Sequence, residues 1–413
     1  MKAMNNSSKR ILVFLLLSVM IFVLWGNAVY YAQYIREHYS SVGIRIKGTG
    51  VSKRVLEQAV KKEAQKENKK LLQVSAWNRL EDQKLENEAL YTSITVQLIE
   101  VYGAMDQVYP AELAGGSIPG ADDYEGCLID RHTAYELFHT VDAVGNLLTY
   151  QGRQYCVRGI LRSSEPVCLV EQYEDGTVYS NLELRFTEED NGGPLSGDFI
   201  RQYDLADRYT VIDGSLLAKL LELSYRLPAW LLGFCLLYEL LRVLWKRRTL
   251  PGQVLALLLL LVTLWPLLSW LMEFEFYIPR PLIPTKWSDF SFWSRKVAAL
   301  SEWRKEISNL APSEKDILLQ QYTASCIFCI GLAMLGMTVF IAHGKIFFAG
   351  TGRTGGVLLI ALAECVAAAA LFQTGRVFAL PRGYLGMPVF YLIARDAFCW
   401  FRDYFTRLSS RTE

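Results

Sequence analysis

The chain has 413 residues, of which 52% are hydrophobic and 13% aromatic, more than a soluble domain usually carries and enough to leave apolar surface for lipid to cover. A formal net charge of +1, with Lys and Arg scattered along the chain, excludes a massed basic surface for nucleic acid. No Gly-x-x-x-x-Gly-Lys-Ser/Thr phosphate loop occurs, so ATP-driven work would require an ATPase on a separate chain.

The apolar excess lies in five blocks, 11–31, 229–245, 254–272, 322–342 and 356–372, each near the ~20 residues that cross a hydrocarbon core. Lys2, Lys9 and Arg10 precede the first block with no acidic residue, which keeps the N-terminus in the cytoplasm by the positive-inside rule. The same ten residues have the form of a signal-peptide n-region, with Gly26-Asn27-Ala28 as a cleavage site. The apolar run nevertheless continues through Tyr30, Tyr31 and Ala32, which favours an uncleaved signal anchor. With the first span running outward, residues 35–225 are extracytoplasmic.

Within that segment, Ser52 is placed to cap a helix whose apolar stripe is Val55, Leu56, Ala59 and Val60 and which ends in the Lys-rich run up to Lys70. Residues 71–77 form a short apolar strand, and Ile94, Val96 and Leu98 alternate with Thr95 and Gln97 as a second strand. Residues 127–129 predict a brief strand and 133–138 a short helix. Residues 147–150 and 155–161 predict a hairpin turning at Gln151-Gly152-Arg153. The domain reads as α+β.

The run Gly126-Cys127-Leu128-Ile129-Asp130 is followed by Ala134-Tyr135-Glu136-Leu137-Phe138, Val144-Gly145, Tyr150-Gln151-Gly152 and Tyr155-Cys156-Val157-Arg158-Gly159. This order, preceded by the Gly-rich segment 113–120 and the acidic turn Asp122-Asp123, resembles the periplasmic core domain of MacB/FtsX-type ABC transporter permeases. The resemblance covers about 71–161, roughly a quarter of the chain. It implies a large domain outside the cytoplasm that transmits movement across the membrane, powered by a separate cytoplasmic ABC ATPase and working with another membrane subunit. The family carries a longer cytoplasmic link after its second span, with an Arg-Glu-Ile-Gly-like segment that receives the ATPase; this chain offers only residues 246–253 there.

The second half completes the fold class, an α+β extracytoplasmic domain inserted after the first span of an all-α membrane domain with about five transmembrane helices. The last block, with only 17 residues, also suits a buried or re-entrant helix. Arg242, Lys246, Arg247 and Arg248 close the second span, and His343, Lys345 and Arg353 lie between the fourth and fifth, so both links read as cytoplasmic. The predicted organisation is a cytoplasmic N-terminus and first helix (1–34), the MacB-like domain (35–225), helices 2–3 (226–273), an outer loop with an aromatic amphipathic segment (274–321), helices 4–5 (322–373) and an amphipathic C-terminal segment (374–413). The tail holds six Arg against Asp396, Asp403 and Glu413, which leaves its side open. Ile278-Pro279-Arg280 followed by Asp289-Phe290-Ser291-Phe292-Trp293 is echoed by Leu380-Pro381-Arg382 followed by Asp396-Ala397-Phe398-Cys399-Trp400, the weak internal symmetry of a duplicated membrane fold. Trp287, Phe290, Phe292 and Trp293 beside Lys286 and Arg295 suit a membrane interface.

Glu364, inside the fifth block among alanines, is the one candidate intramembrane functional residue; the plainer reading is a hydrogen bond to Ser325 or Thr338 on a neighbouring helix. Glu239 and Arg242, three apart, read as a structural ion pair. Gly350-Thr-Gly352-Arg-Thr-Gly355 matches a dinucleotide fingerprint in letters alone, because it joins two membrane helices instead of following a strand. Cys326 and Cys329 within a span read as packing, and Cys127, Cys156 and Cys168 allow at most one disulfide. His132 and His139 have no carboxylate in a metal-binding pattern, and Asp122-Asp123 and Glu188-Glu189-Asp190 read as solvated turns. No catalytic, cofactor-binding or metal-ligating residue is assigned, and the expected function is that of a non-enzymatic membrane protein. Its expected partners are the lipid bilayer, an ABC ATPase and another membrane subunit, with no nucleic acid.

Overall fold

The computed structural model describes residues 6–246, 282–308, 313–347, 353–373 and 391–392, less positions 68, 110, 111, 122, 164, 173, 175, 188–190, 285, 287 and 288. The elements run α1 (Asn6–His38), β1 (Val42–Ile46), β2 (Val51–Ser52), α2 (Lys53–Ala64), β3 (Leu71–Asn87), β4 (Thr92–Tyr102), α3 (Met105–Val108) and β5 (Leu113–Gly116). Next come β6 (Gly126–Asp130), α4 (Arg131–Phe138), β7 (Leu147–Tyr150), β8 (Arg153–Leu161), β9 (Val167–Glu171), β10 (Val178–Tyr179), β11 (Asn181–Phe186), α5 (Gly192–Gln202) and β12 (Tyr209–Asp213). Helices α6 (Gly214–Tyr225), α7 (Leu227–Lys246), α8 (Phe292–Ser308), α9 (Glu314–Phe347) and α10 (Arg353–Gln373) complete the described elements.

Two compact units divide the chain. One comprises Tyr34–Lys219 with Ile278–Gln320 and holds the strands; the other comprises Met1–Gln33, Leu220–Tyr277 and Gln321–Glu413.

In the sheet unit, the strand order is β12-β1-β11-β3-β4-β9-β6-β8-β5, with β7 joining β3 and β8, and β2 pairs with β10 as a separate ribbon. Pairing is antiparallel except for β4 with β9 and β6 with β8. β3 and β4 form a hairpin far longer than the two short strands expected, since β3 runs for 17 residues. It continues past a register shift between Leu80 and Gln83, beside Asp82 at φ 54°. The polar letters Asn78 to Lys84 hide this continuation, because the strand crosses exposed surface there while its ends enter two different cores.

One core gathers Val42 and Ile44 of β1, Val74 and Ala76 of β3, and Leu182 and Leu184 of β11 against Leu56 and Ala59 of α2 and Phe199 and Ile200 of α5. α2 is the amphipathic helix expected, shorter than predicted. Ser52 stands at its N-cap position, yet the side chain makes no capping hydrogen bond, because β2 holds Ser52 in the ribbon with Val178. A second core places Leu137 and Phe138 of α4 on Leu85, Val96, Ile129, Tyr155 and Val170. β6 is buried at all five positions, as a strand covered on both faces must be. Tyr150 pairs with Arg153 across a two-residue turn, Gln151 at φ 50° and Gly152 at φ 78°, the left-handed pair that matches strand twist.

Two helices among the described residues are long and apolar enough to cross a membrane, Ile11–His38 and Lys315–Ala342, each with most of its length in the other unit; Leu358–Gln373, within that unit, is a shorter apolar helix. Within that unit α1 packs on α9 through Phe14 and Phe340, 5.4 Å between ring centroids. At Gly336 an added Cβ would lie 2.9 Å from Ile21, so only a glycine permits the approach there. Cys326 donates to the Ala28 carbonyl at 3.2 Å and Trp25 to the Tyr225 carbonyl at 2.7 Å. The block 254–272, the fingerprint letters Gly350 to Gly352, and nearly all of 374–413, with the second copy of the suggested repeat, lie outside the described residues.

Candidate functional site

Beneath the first sheet unit core, on the opposite face of the same strands, lies a set of buried charges. Arg45 and Gly43 of β1, Glu183 of β11, and Ser75 and Trp77 of β3 are brought together by register, since Gly43 pairs with Glu183 and Glu183 with Ser75. Period-two alternation sends Val42 and Ile44 to the apolar core and leaves this polar set on the other side. Ser313, Lys315 and Asp316, from the start of α9, close over it.

Arg45 forms a fork with Asp316, Nε to Oδ2 at 3.2 Å and Nη2 to Oδ1 at 2.9 Å, and the same Nη2 lies 2.9 Å from Glu183 Oε1. The guanidinium also rests over the Trp77 ring, 5.1 Å from its centroid. Lys315 Nζ reaches Glu183 Oε2 at 2.8 Å, donates to the Gln107 carbonyl, and lies 3.4 Å from Ser41 Oγ. Ser41 in turn donates to Glu183 Oε2 at 2.8 Å, and the Trp77 indole N–H points at Oε1 from 3.5 Å. Two cations and two anions therefore cancel, and Glu183, only 1% exposed, is touched by both cations as well as by Ser41 and Trp77.

Burial alone opposes ionisation of Glu183, but the attraction of Lys315 and Arg45 outweighs it and holds the carboxyl below its usual range. For Arg45, burial works against the charge while Glu183 and Asp316 favour it, and the net displacement is upward. Gly43 leaves room for this geometry. A Cβ there would stand 3.0 Å from Arg45 Nη1, in the path the guanidinium takes to Glu183.

Ser41 is the one hydroxyl set on a carboxylate here, and both groups are buried, with Glu183 engaged by Arg45 and Lys315; among the described residues no group of three His, Cys, Asp or Glu is placed to hold a metal ion. What the arrangement does physically is hold its elements in place. A neutral buried network gains little net stability over an apolar core, but it fixes geometry, because each partner left alone is a costly buried charge. Here it fixes the first turn of α9 onto strands whose first member follows directly from α1.

The residues singled out by sequence lie elsewhere. Glu364 is buried in α10 and accepts a hydrogen bond from Ser18 of α1, so its partner is neither Ser325 nor Thr338; Thr338 instead donates to the Leu335 carbonyl. A small polar residue on the first helix satisfies the carboxylate because α1, and not α9, presents a hydroxyl to it. The side chain of Glu239 lies outside the described residues, so its pairing with Arg242 does too; Arg242 is exposed. Cys127, Cys156 and Cys168 are all free thiols, and burial, with Cys168 alongside, raises Cys127 well above the usual thiol range. Cys326 and Cys329 are also free.

Asp123 is not simply solvated: it accepts from Arg158 Nε at 2.8 Å, and that bond lowers its carboxyl. Glu188, Glu189 and Asp190 lie outside the described residues. His132 is exposed, and His139 ends α4 in the left-handed region at φ 56°. Asp130, at the end of the motif that opened the family resemblance, has a structural task. Its carboxylate accepts from the amides of His132 and Thr133, the Thr133 hydroxyl and the Val167 amide, capping α4 and tying it to β9.

Part of the chain is similar in fold to extracytoplasmic domains of ABC-type permeases. The periplasmic region of MacB from Actinobacillus actinomycetemcomitans is 9% identical over 45% of this chain and 94% of that one, with a TM-score of 0.36. The extracellular domain of the noncanonic ABC-type transporter YknZ from Gram-positive bacteria is 12% identical over 42% and 99%, with a TM-score of 0.32. A domain of a protein assigned as a permease from Porphyromonas gingivalis is 13% identical over 40% and 80%, with a TM-score of 0.28. No family model matches the sequence, and no curated protein matches it.

Proposed function

We propose that the chain is a non-enzymatic membrane subunit of, or accessory to, a MacB-type ABC transport or mechanotransmission system. In this reading the N-terminus is cytoplasmic, the sheet unit lies outside the cytoplasm, and the network around Glu183 couples two membrane-crossing helices. The observation that carries it is the position of that carboxylate. Ser41 and Arg45, just after the apolar helix Ile11–His38, and Lys315, at the start of the apolar helix Lys315–Ala342, all bear on Glu183. Force applied along either helix arrives at the same rigid point, and α9 cannot leave the sheet without stranding buried charge. The kind of system is taken from the order of elements that the sequence shares with MacB-type permeases, and the energy source is a separate ATPase, since this sequence has no phosphate loop.

The second reading, a membrane-anchored binding or scaffold protein without ATP coupling, is favoured by one feature, the short link at 246–253. Purification of the full chain in mild detergent separates the two. Copurification of a phosphate-loop ATPase, with ATP turnover altering protease cleavage of the sheet unit, supports the transporter reading. If no ATPase accompanies the chain and ATP alters nothing, that reading fails and the scaffold remains.

A further inference from the structure

Helix α8 is a 17-residue segment that, among the described residues, meets the sheet along one flank. Trp303 donates its indole N–H to the Val211 carbonyl of β12 at 2.8 Å, and Phe292 is half-buried on the same side. At about 100° per residue, Trp293, Val297 and Leu300 fall on one narrow stripe beside that flank, which Arg304 continues by spacing, and Phe290 lies in the turn before the helix. Trp293, Val297, Leu300 and Phe290 are exposed, at 56%, 67%, 56% and 93% respectively. Ser294, Glu302 and Lys305 occupy the other side, and all are exposed. The turn that starts the helix is braced by Arg295, which bonds Asp289 and Ser291. A stripe of Trp, Val and Leu turned outward on a helix so firmly braced is not an unpacked loop.

We propose that this stripe lies in the plane of a lipid bilayer surface, with the helix as an interfacial anchor of the sheet unit. Three features select lipid as the occupant. Over its first two turns the helix sets aromatic and aliphatic side chains on one face, with Arg304 following on the same line at the next turn and other charges on the rest, the pattern of helices that rest at the boundary between headgroups and acyl chains. Lys286 and Lys296 are exposed at the margin of the stripe, Lys296 beside the Phe292 ring at 5.7 Å, where ammonium groups meet phosphate headgroups. The chain itself supplies the bilayer: from Ser308 to Glu314 is six residues, at most ~20 Å of extended chain, and Glu314 begins the helix that contains the apolar stretch Lys315–Ala342.

The inference takes from the functional reading only that the chain is membrane-anchored. The full chain is reconstituted in vesicles of phosphatidylcholine and phosphatidylglycerol, with p-benzoyl-phenylalanine placed singly at Val297, Leu300, Glu302 or Phe328, and adducts are identified by mass after irradiation. Phe328, 65% exposed on α9, reports membrane anchoring independently. The expected result is several-fold more lipid adduct at Val297 and Leu300 than at Glu302, with lipid adducts at Phe328 also. Lipid adducts at Phe328 without them at Val297 and Leu300 overturn the inference and leave anchoring intact, as do protein adducts at Val297, which identify a second copy or another subunit as the occupant. No lipid adduct at any position overturns both.

Discussion

Replacing Lys315 by Met removes the ammonium but keeps most of the side-chain volume, and so tests whether the network holds α9 to the sheet. The pair it breaks spans 2.8 Å, for which the gross attraction at an effective dielectric constant of ~20 is about 6 kcal/mol. Much of this is offset by the desolvation that the buried ammonium no longer incurs. Glu183 keeps Arg45, Ser41 and the Trp77 N–H, but the set acquires a net negative charge within the core. Breaking one buried pair in this way costs about 3–5 kcal/mol. For a unit of this size that is a fall in unfolding midpoint of roughly 10 °C.

The decisive comparison is the double variant Lys315→Met with Glu183→Gln, which leaves Arg45 and Asp316 as a neutral fork and lets the amide keep the Ser41 contact. It should be more stable than Lys315→Met alone by at least ~1 kcal/mol, the non-additivity of residues sharing one network. Calorimetry of the full chain in detergent measures both. A single-variant cost below ~1 kcal/mol, or a double variant whose cost is the sum of the singles, would refute the argument that charge balance holds this site.

Because the folded-state value of Glu183 is depressed, its ionised form contributes stability that is fully present above the ordinary glutamate value of about 4.3 and is lost as pH falls through the folded value. Lys315→Met should therefore move acid unfolding, followed by tryptophan fluorescence, to higher pH; coincident acid midpoints would count against it. Gly43→Val places a branched side chain where the Arg45 guanidinium passes, at 3.0 Å from Nη1, and should cost about 1–3 kcal/mol in a thermal melt, with Gly43→Ala costing less. Asp130→Ala removes the cap of α4 and the partner of the buried Val167 amide, and should destabilise the sheet unit by about 2–4 kcal/mol. Glu364→Gln retains an acceptor for Ser18 and should leave membrane abundance and thermal stability unchanged, whereas Glu364→Leu should lower stability by about 1 kcal/mol; loss of function in Glu364→Gln at unchanged abundance would restore an ionisable role.

The parts of the fold that were legible in the sequence are those whose signal is local. The α2 stripe, the α4 helix, the Gln151-Gly152 turn and the alternation of Ile94, Val96 and Leu98 each fall within a few residues of one another. β1 and β11 were missed because Arg45 and Glu183 interrupt short apolar runs, and a charge at an alternating position reads as a solvent-facing residue. Nothing near Lys315 marks it either: Ser313-Glu314-Lys315-Asp316 has the look of an ordinary charged helix start. The network depends on a third layer covering the polar face, and that layer arrives from more than a hundred residues away. Asp130 was seen as part of a motif, but its four hydrogen bonds include the Val167 amide, which no spacing rule predicts.

The order in which the chain is made gives the network a second consequence. Arg45 and Glu183 belong to strands that pair with each other, yet the ammonium that balances Glu183 is 132 residues further along, at Lys315. At roughly 5–20 residues per second of synthesis, the two strands exist for about 7 to 26 seconds before Lys315 is added. During that interval the polar face of the sheet stands open to water, where both charges are well solvated and the interval costs nothing. The final closure is thus a late docking event between a preformed sheet and a newly made helix, and a nascent chain stalled before Lys315 would leave a charged cleft where the finished protein has a buried, charge-balanced interior.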